Sequence, residues 1–145
     1  MRELPRQLST TELAELFEGR SRFVERLAEL PDPLEAALDL VGEVPEDELV
    51  EALEAHPQIG AKNLSERSAQ EQGPSESAAI ETELAYLNQV YEEKFGFRFV
   101  VFVNRRPKSE IADVLRARLE RTREEELETA VNELVAIARD RWQNP

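Results

Sequence analysis

The sequence predicts an all-α protein in which residues 1–145 form one domain of about seven to eight short helices. Apolar residues recur at spacings of three and four along most of the chain, which is the periodicity of amphipathic helices. Helix-starting pairs such as Ser9 with Glu12 precede the apolar stretches. Only residues 97–103, FRFVVFV, have the composition of a strand, and a lone strand has no partner with which to form a stable sheet.

The first half of the chain predicts four helices that proline and glycine separate. Ser9 with Glu12 begins the first helix, whose apolar stripe runs up to Gly19, and Pro31 and Pro33 end the second. Gly42 ends the third helix, and Pro45 fits the first turn of the fourth. The apolar residues expected to face the core are, helix by helix, Leu13, Leu16 and Phe17; Phe23, Leu27 and Leu30; Leu34, Ala37, Leu38 and Val41; and Leu49, Val50 and Leu53. Helices this short are marginal alone, so their apolar sides must pack together.

The middle of the chain predicts a loop, a short helix and a long helix. Residues 56–65 form the loop, and residues 65–72 form the short helix, which ends at Gly73. Ser75 or Ser77 begins the long helix. Its apolar residues are Ile80, Leu84, Leu87, Tyr91 and Phe95, and it ends at Gly96.

The strand-like run at residues 97–103 is predicted to be either a buried extended segment or the apolar start of the next helix. The residues that define the next helix are Ile111, Val114, Leu115, Arg118 and Leu119. Thr122 and Glu125 then form a second capping box. That box begins a last helix, which we expect to run to about Trp142.

The charge and composition of the chain exclude several classes of function. Its formal net charge is -13, from 31 Asp and Glu against 18 Lys and Arg, which disfavours nucleic acid and anionic membranes as partners. It has no cysteine and one histidine, and its carboxylates lack the spacing of a calcium loop, so we expect no metal site. No apolar run has the length of a transmembrane helix or the position of a signal peptide, so we expect a cytoplasmic protein.

The only histidine, His56, lies where a predicted helix ends and a loop begins. One interpretation is a surface residue whose charged form suits the C-terminal end of the helix dipole. The other is a proton carrier that works near neutral pH and that Glu71 orients or holds in its charged form. The spacing alone favours the first interpretation.

Three polar residues of the predicted helix over residues 65–72 share one face. Ser68, Glu71 and Gln72 stand at positions i, i+3 and i+4, so a hydroxyl, a carboxylate and an amide converge just after the loop. A solvated polar face is the commoner explanation of such spacing. A binding site is the alternative.

A guanidinium lies on the apolar stripe of the last helix. Steps of four, three, four and three residues connect Leu127, Val131, Leu134, Ala138 and Arg141. Arg141 should therefore face the core, whereas Arg139 should be exposed. Burial of an unpaired charge is costly, so Arg141 either reaches past the helix end into solvent, pairs with a structural carboxylate, or holds an anionic ligand with its planar fork.

Four stretches follow one another in a specific order: EAHPQIGAK, SAQEQG, LNQVYEEKFGFRFVVFV and ELVAIARDRW. Together they resemble the family of 2-oxo-4-hydroxy-4-carboxy-5-ureidoimidazoline (OHCU) decarboxylases, and the likeness covers most of the chain. The resemblance implies an all-α fold, usually a homodimer, that needs no cofactor. It also implies conversion of OHCU, a small anionic substrate, to (S)-allantoin and carbon dioxide, after uricase and hydroxyisourate hydrolase have acted.

The resemblance also implies roles for single residues. His56 matches the family's essential histidine, and Glu71 matches its catalytic carboxylate. The positions that match ligand-binding residues are Pro57, Ser68, Gln72 and Arg141, with Val101, Phe102, Val103, Asn104 and Arg105 in a segment whose backbone contacts the ligand. An extended segment offers free N–H groups, which would explain a strand-like run in a helical protein.

Two other functions fit the same sequence. A helical binding protein could keep this fold without the reaction, and its mark would be the loss of His56, Glu71 or Arg141, all of which are present. A sister enzyme of the same fold could act on another ureido or hydroxy acid. Turnover of OHCU separates these alternatives, because a binding protein would show none and a sister enzyme would prefer another acid.

Overall fold

Helices account for all the regular secondary structure in residues 2–59, 71 and 77–145, which are the residues that this computed structural model describes. The helices with defined bounds are α1 Thr10–Phe17, α2 Arg22–Ala28, α3 Pro33–Val41, α4 Glu46–Ala55, α5 Ala78–Phe95, α6 Lys108–Arg118 and α7 Arg123–Gln143. No strand occurs in these ranges, which confirms the predicted all-α class. None of the helices found there is long and apolar enough to span a membrane.

The predicted capping residues begin three of the helices. Both capping boxes are present: Ser9 Oγ accepts from the Glu12 N–H at 3.1 Å, and Thr122 Oγ1 accepts from the Glu125 N–H at 3.2 Å. Ser77, the second of the two predicted alternatives, begins α5, and its Oγ accepts from the backbone N–H of Ile80 at 3.1 Å. Side-chain oxygens thus satisfy amide groups that have no partner inside the helix.

Three details of the first half differ from the prediction. The predicted first helix runs up to Gly19, but α1 ends at Phe17 and Glu18 caps it in a left-handed conformation, with φ 63°. Pro33 begins α3 instead of ending α2, because its fixed φ suits a first helical position. Leu38 is 42% exposed and Leu40 is buried, since α3 packs through the i, i+3 row of Leu34, Ala37 and Leu40.

Residues 97–103 form the buried extended segment that was one of the two predicted alternatives. Its aromatic residues pack against Tyr91 of α5, with ring centroids 5.9 Å away for Phe97 and 5.2 Å for Phe99. Carbonyl groups of the segment accept from guanidinium groups. Arg118 Nη1 donates to Val100 at 2.8 Å, and Arg106 Nη2 donates to the Phe102 carbonyl at 2.6 Å.

A buried ion pair between Arg118 and Glu126 supports the extended segment. Arg118 Nε donates to Glu126 Oε1 at 2.7 Å, and the Tyr91 hydroxyl donates to the same oxygen at 2.6 Å. All three side chains are buried. Burial of charged groups is tolerated only when they are paired and hydrogen-bonded, so this network fixes Arg118, and through it the Val100 carbonyl.

The turn between α1 and α2 approaches the end of α4 very closely at Gly19. A Cβ at Gly19 would lie 2.7 Å from the Cβ of Ala55, the last residue of α4. Only a residue without a side chain fits there while Ala55 is present. The position of the next residue, His56, therefore depends on this contact.

We expect Gly19→Ala to lower the free energy of unfolding by about 1–3 kcal/mol, which is the usual effect of overpacking. Ala55→Gly should restore part of that loss, because it removes the opposing methyl group. Urea unfolding of the two single variants and the double variant measures the coupling. A Gly19→Ala protein as stable as the wild type would contradict the close packing.

Candidate active site

His56 lies at the C-terminal end of α4 and is buried. Its N–H donates to the Leu53 carbonyl at 3.1 Å, and its ψ of 138° turns the chain out of the helix before Pro57. The side chain is only 8% exposed and lines a cavity of about 560 Å³. The interpretation of His56 as a surface residue is therefore wrong.

The His56 imidazole has one nitrogen that is both buried and unpaired. Nδ1 is inaccessible to solvent and has no hydrogen-bond partner among the residues that the structure describes. A buried N–H without an acceptor is rarer in proteins than an under-satisfied acceptor. The favoured neutral tautomer therefore carries its proton on Nε2, with Nδ1 as the unpaired acceptor.

Burial, and after it the charge of Arg141, lower the pKa of His56 from 6.5 to about 4. Glu18 and Glu71 act in the opposite direction but do not outweigh burial. The imidazole is therefore neutral at pH 7. The sequence-based expectation that Glu71 holds His56 in its charged form differs from this result, because the sequence gives no measure of burial.

Arg141 faces the core as its place on the stripe predicts, and it is 4% exposed. Its Nη2 donates to Glu71 Oε1 at 2.7 Å and its Nε donates to Glu71 Oε2 at 3.1 Å, a two-pronged contact. Nη2 also lies 3.2 Å from Glu18 Oε1, and Nη1 donates to the Leu16 carbonyl at 3.0 Å. We call Arg141, Glu71, Glu18 and the Leu16 carbonyl the arginine cluster.

The neighbouring Arg139 is half-buried rather than exposed. Its Nε donates to the Leu34 carbonyl at 2.8 Å, and its Nη2 donates to the Glu35 carbonyl at 3.3 Å. The prediction that Arg139 is exposed is wrong because it considered α7 alone. Helix α3 packs beside α7, and its carbonyl groups accept hydrogen bonds from Arg139.

Glu71 lines the cavity next to His56 and so joins the arginine cluster to it. The other two members of the predicted polar face, Ser68 and Gln72, lie outside the described residues, as does most of the predicted helix over residues 65–72. Glu18 was missed by the sequence analysis. It sits in the left-handed turn after α1, and nothing in the linear pattern brings it to α7.

The extended segment forms a second wall of the cavity. The backbone N–H groups of Val101 and Val103 donate to no other residue in the described ranges, whereas that of Phe102 lies 3.4 Å from Glu133 Oε1. Asn104 and Arg105 then form a left-handed turn, with φ 48° and 64°, that returns the chain toward α6. Val101 and Val103, whose N–H groups have no acceptor among the described residues, thus line the same cavity as His56.

The walls of the cavity carry charges of both signs. The described residues that line it include the carboxylates of Glu71 and Asp140 and the single cation Arg105. Pro57 and Ile137 contribute apolar surface to the cavity. The predicted ligand-binding residues that line it are Pro57, Val101, Phe102, Val103, Asn104 and Arg105. No cluster of three or more metal-ligating side chains occurs within residues 2–59, 71 and 77–145.

The chain is similar to known proteins over almost its whole length. Residues 2–143 match the family model described as OHCU decarboxylase. A solved structure, the crystal structure of OHCU decarboxylase in the presence of (S)-allantoin, superposes with a TM-score of 0.75 at 29% identity and covers 90% of this chain and 94% of that one. A crystal structure of (S)-allantoin synthase has the same fold, with a TM-score of 0.68 at 22% identity over 92% of this chain and 48% of that one.

Curated relatives are similar over the same region. The uric acid degradation bifunctional protein PucL of Bacillus subtilis is 31% identical over 97% of this chain, which covers 31% of that protein. The 2-oxo-4-hydroxy-4-carboxy-5-ureidoimidazoline decarboxylase of Halalkalicoccus jeotgali is 28% identical over 72% of this chain. The chain spans about a third of the first relative and 62% of the second.

The depressed pKa of His56 makes the folding free energy depend on pH. Because the folded protein favours neutral His56, this contribution is fully present above the ordinary pKa of 6.5 and is lost as the pH falls toward 4. His56→Asn lacks this titration. Between about pH 7.5 and pH 5, the free energy of unfolding of wild type relative to the variant should therefore fall by about 2 kcal/mol.

Urea unfolding of both proteins at the two pH values measures this change. The variant is the control, since it shares every carboxylate that titrates in the same range. A difference between the two proteins that stays constant with pH would mean that His56 titrates normally.

Proposed function

Because the chain belongs to the OHCU decarboxylase family, we propose that it removes carbon dioxide from OHCU and releases (S)-allantoin. One observation carries the proposal: His56 and Glu71 line one cavity with Val101 and Val103, whose N–H groups have no acceptor among the described residues. A proton carrier, a charged group and fixed donors are the parts that decarboxylation of a polar ring requires.

The chemistry of the substrate explains why the protein's own side chains suffice. Ring carbon 4 bears the carboxylate and a hydroxyl, and carbon 5 is an imine-like carbon that bears the ureido group. Loss of carbon dioxide leaves an electron pair that passes into the ring, a ring nitrogen takes up one proton, and an enol remains. The hydroxyl proton must then move to carbon 5 as carbon 4 becomes a carbonyl. The protein has to orient the carboxylate, stabilise the negative charge and move this proton.

In this proposal His56 moves the proton. A neutral imidazole that carries its proton on Nδ1 during the reaction can accept the hydroxyl proton of the enol on Nε2 and return it to carbon 5, so the ring has to change from its resting tautomer when the substrate binds. The lowered pKa of His56 keeps the neutral form populated at pH 7. Because the imidazole is fixed on one wall of the cavity, it delivers the proton to one face of the ring. A single enantiomer of allantoin follows.

The other site residues bind and orient the substrate in this proposal. Glu71 contacts the substrate and orients His56, and Arg141 binds a substrate oxygen in place of part of its present contact with Glu71. Backbone N–H groups over residues 101–105 and the ring of Pro57 hold the heterocycle. Ser68 and Gln72 bind ring or ureido groups, as the family resemblance implies.

The wider setting of the reaction is also proposed from the family. The protein would act as a cytoplasmic homodimer on OHCU that uricase and hydroxyisourate hydrolase supply. The two alternatives, a binding protein and a sister enzyme for another ureido or hydroxy acid, differ from it in one measurable property, which is turnover of OHCU.

The direct test generates OHCU from urate with uricase and hydroxyisourate hydrolase and follows the product by circular dichroism. The proposal predicts rapid formation of dextrorotatory allantoin above the spontaneous decay of OHCU. Folded protein that gives no acceleration would overturn the decarboxylase proposal and favour a binding protein. Slow turnover of OHCU beside fast turnover of another acid would identify a sister enzyme.

His56→Asn should lower this rate by about 10²-fold or more, because it removes the proton carrier but keeps a polar side chain of similar size. Far-ultraviolet circular dichroism of the variant should show unchanged helix content. Retained turnover in the folded variant would exclude the proton-transfer role of His56.

Arg105 should lower the apparent KM for the anionic substrate, since it is the one cation among the described residues that line a cavity with two carboxylates. We expect Arg105→Gln to raise KM about three- to tenfold at low salt with little change in kcat, and salt should reduce the effect. Arg6→Gln, an exposed change of equal charge, is the matched control. Equal kinetics for the two variants would contradict this role.

A further inference from the structure

Arg98 connects the two walls of the cavity. It belongs to the extended segment, yet its guanidinium reaches back to the end of α4. Its Nη1 donates to the carbonyl of Glu54 at 2.9 Å and to the carbonyl of His56 at 2.7 Å. The last carbonyl groups of a helix have no partner inside the helix, so a guanidinium that binds them fixes the helix end.

Carboxylates hold this guanidinium in place from two sides. Its Nη2 lies 3.5 Å from Glu54 Oε2, and its Nε lies 3.4 Å from Glu92 Oε1. The second oxygen of Glu92 accepts from Gln58 Nε2 at 2.5 Å. Hydrogen bonds therefore fix the chain at Glu54, at the His56 carbonyl and at Gln58.

We propose that Arg98 is a positioning residue for His56: by binding the His56 carbonyl from the extended segment, it sets the distance between the imidazole and the free N–H groups of Val101 and Val103. The catalytic part of this inference rests on the decarboxylase function proposed above. Neither the sequence pattern nor the family resemblance singles out Arg98. Its charge is also one of the groups that lower the pKa of His56.

A merely structural role for Arg98 is the competing explanation, and Arg123 provides a matched control for it. Arg123 Nε donates to the carbonyl of Phe95, the last residue of α5, at 2.9 Å, and its Nη1 pairs with Glu46. It is thus another arginine that binds a helix-end carbonyl and a carboxylate, but the carbonyl that it binds belongs to Phe95 and not to His56. Loss of either arginine removes a similar helix-end contact.

The first readout does not depend on turnover. Diethylpyrocarbonate acylates an accessible neutral imidazole, and the adduct on the only histidine is followed by mass spectrometry of its peptide. We expect Arg98→Gln to speed modification of His56 at least tenfold over wild type, and Arg98→Lys to lie between the two. Arg123→Gln should match wild type. Equal modification rates for Arg98→Gln and Arg123→Gln would overturn the positioning role.

The second readout is the pH profile with OHCU. Arg98→Gln should lower kcat about 10- to 100-fold with less than a threefold change in KM, and it should move the acid limb of kcat/KM to higher pH. Arg98→Lys should keep the acid limb, since it keeps the charge, and recover part of kcat. Unchanged kcat in folded Arg98→Gln would overturn the proposal. If wild type itself does not turn over OHCU, the decarboxylase proposal fails and the modification rates alone decide the role of Arg98.

Discussion

The arginine cluster is the interaction on which the rest of the site depends. One buried guanidinium, that of Arg141, joins the end of α1 to α7 and to Glu71 through the Leu16 carbonyl and two carboxylates. Removal of any partner would leave a buried charge with incomplete compensation, which is among the most costly defects in a protein. The two carboxylates also balance the guanidinium before substrate arrives, so an anionic ligand has to compete with Glu71 for it.

The cluster and the burial of His56 both bear on the proposed binding of an acidic substrate by an acidic protein. With a net charge of -13, the chain repels anions at long range, and recognition depends on local groups. Arg105 and the N–H groups of the extended segment supply local positive potential, whereas two carboxylates already compensate Arg141. The imidazole adds no charge because its pKa is depressed. Because the imidazole of His56 is neutral at pH 7, it can accept a proton.

The sequence predicted those features that depend on neighbours along the chain. The capping boxes, the stop at Gly96 and the inward place of Arg141 follow from local spacing, and the structure confirms them. Features that depend on packing between distant elements were either missed or wrongly predicted. Glu18 meets Arg141 only because α1 lies against α7, and Arg98 meets His56 only because the extended segment turns back toward α4. The same reason explains the wrong exposure of Arg139.

The measurement that tests this account most directly is the titration of His56 by nitrogen-15 NMR of uniformly labelled wild-type protein. The chain has one histidine, so the imidazole resonances need no assignment among competitors. The account predicts a neutral ring with its proton on Nε2 at pH 7 and a pKa of about 4. A pKa at or above the ordinary 6.5 would contradict the buried neutral imidazole on which the proposed proton transfer depends, whereas a proton on Nδ1 would contradict only the resting tautomer.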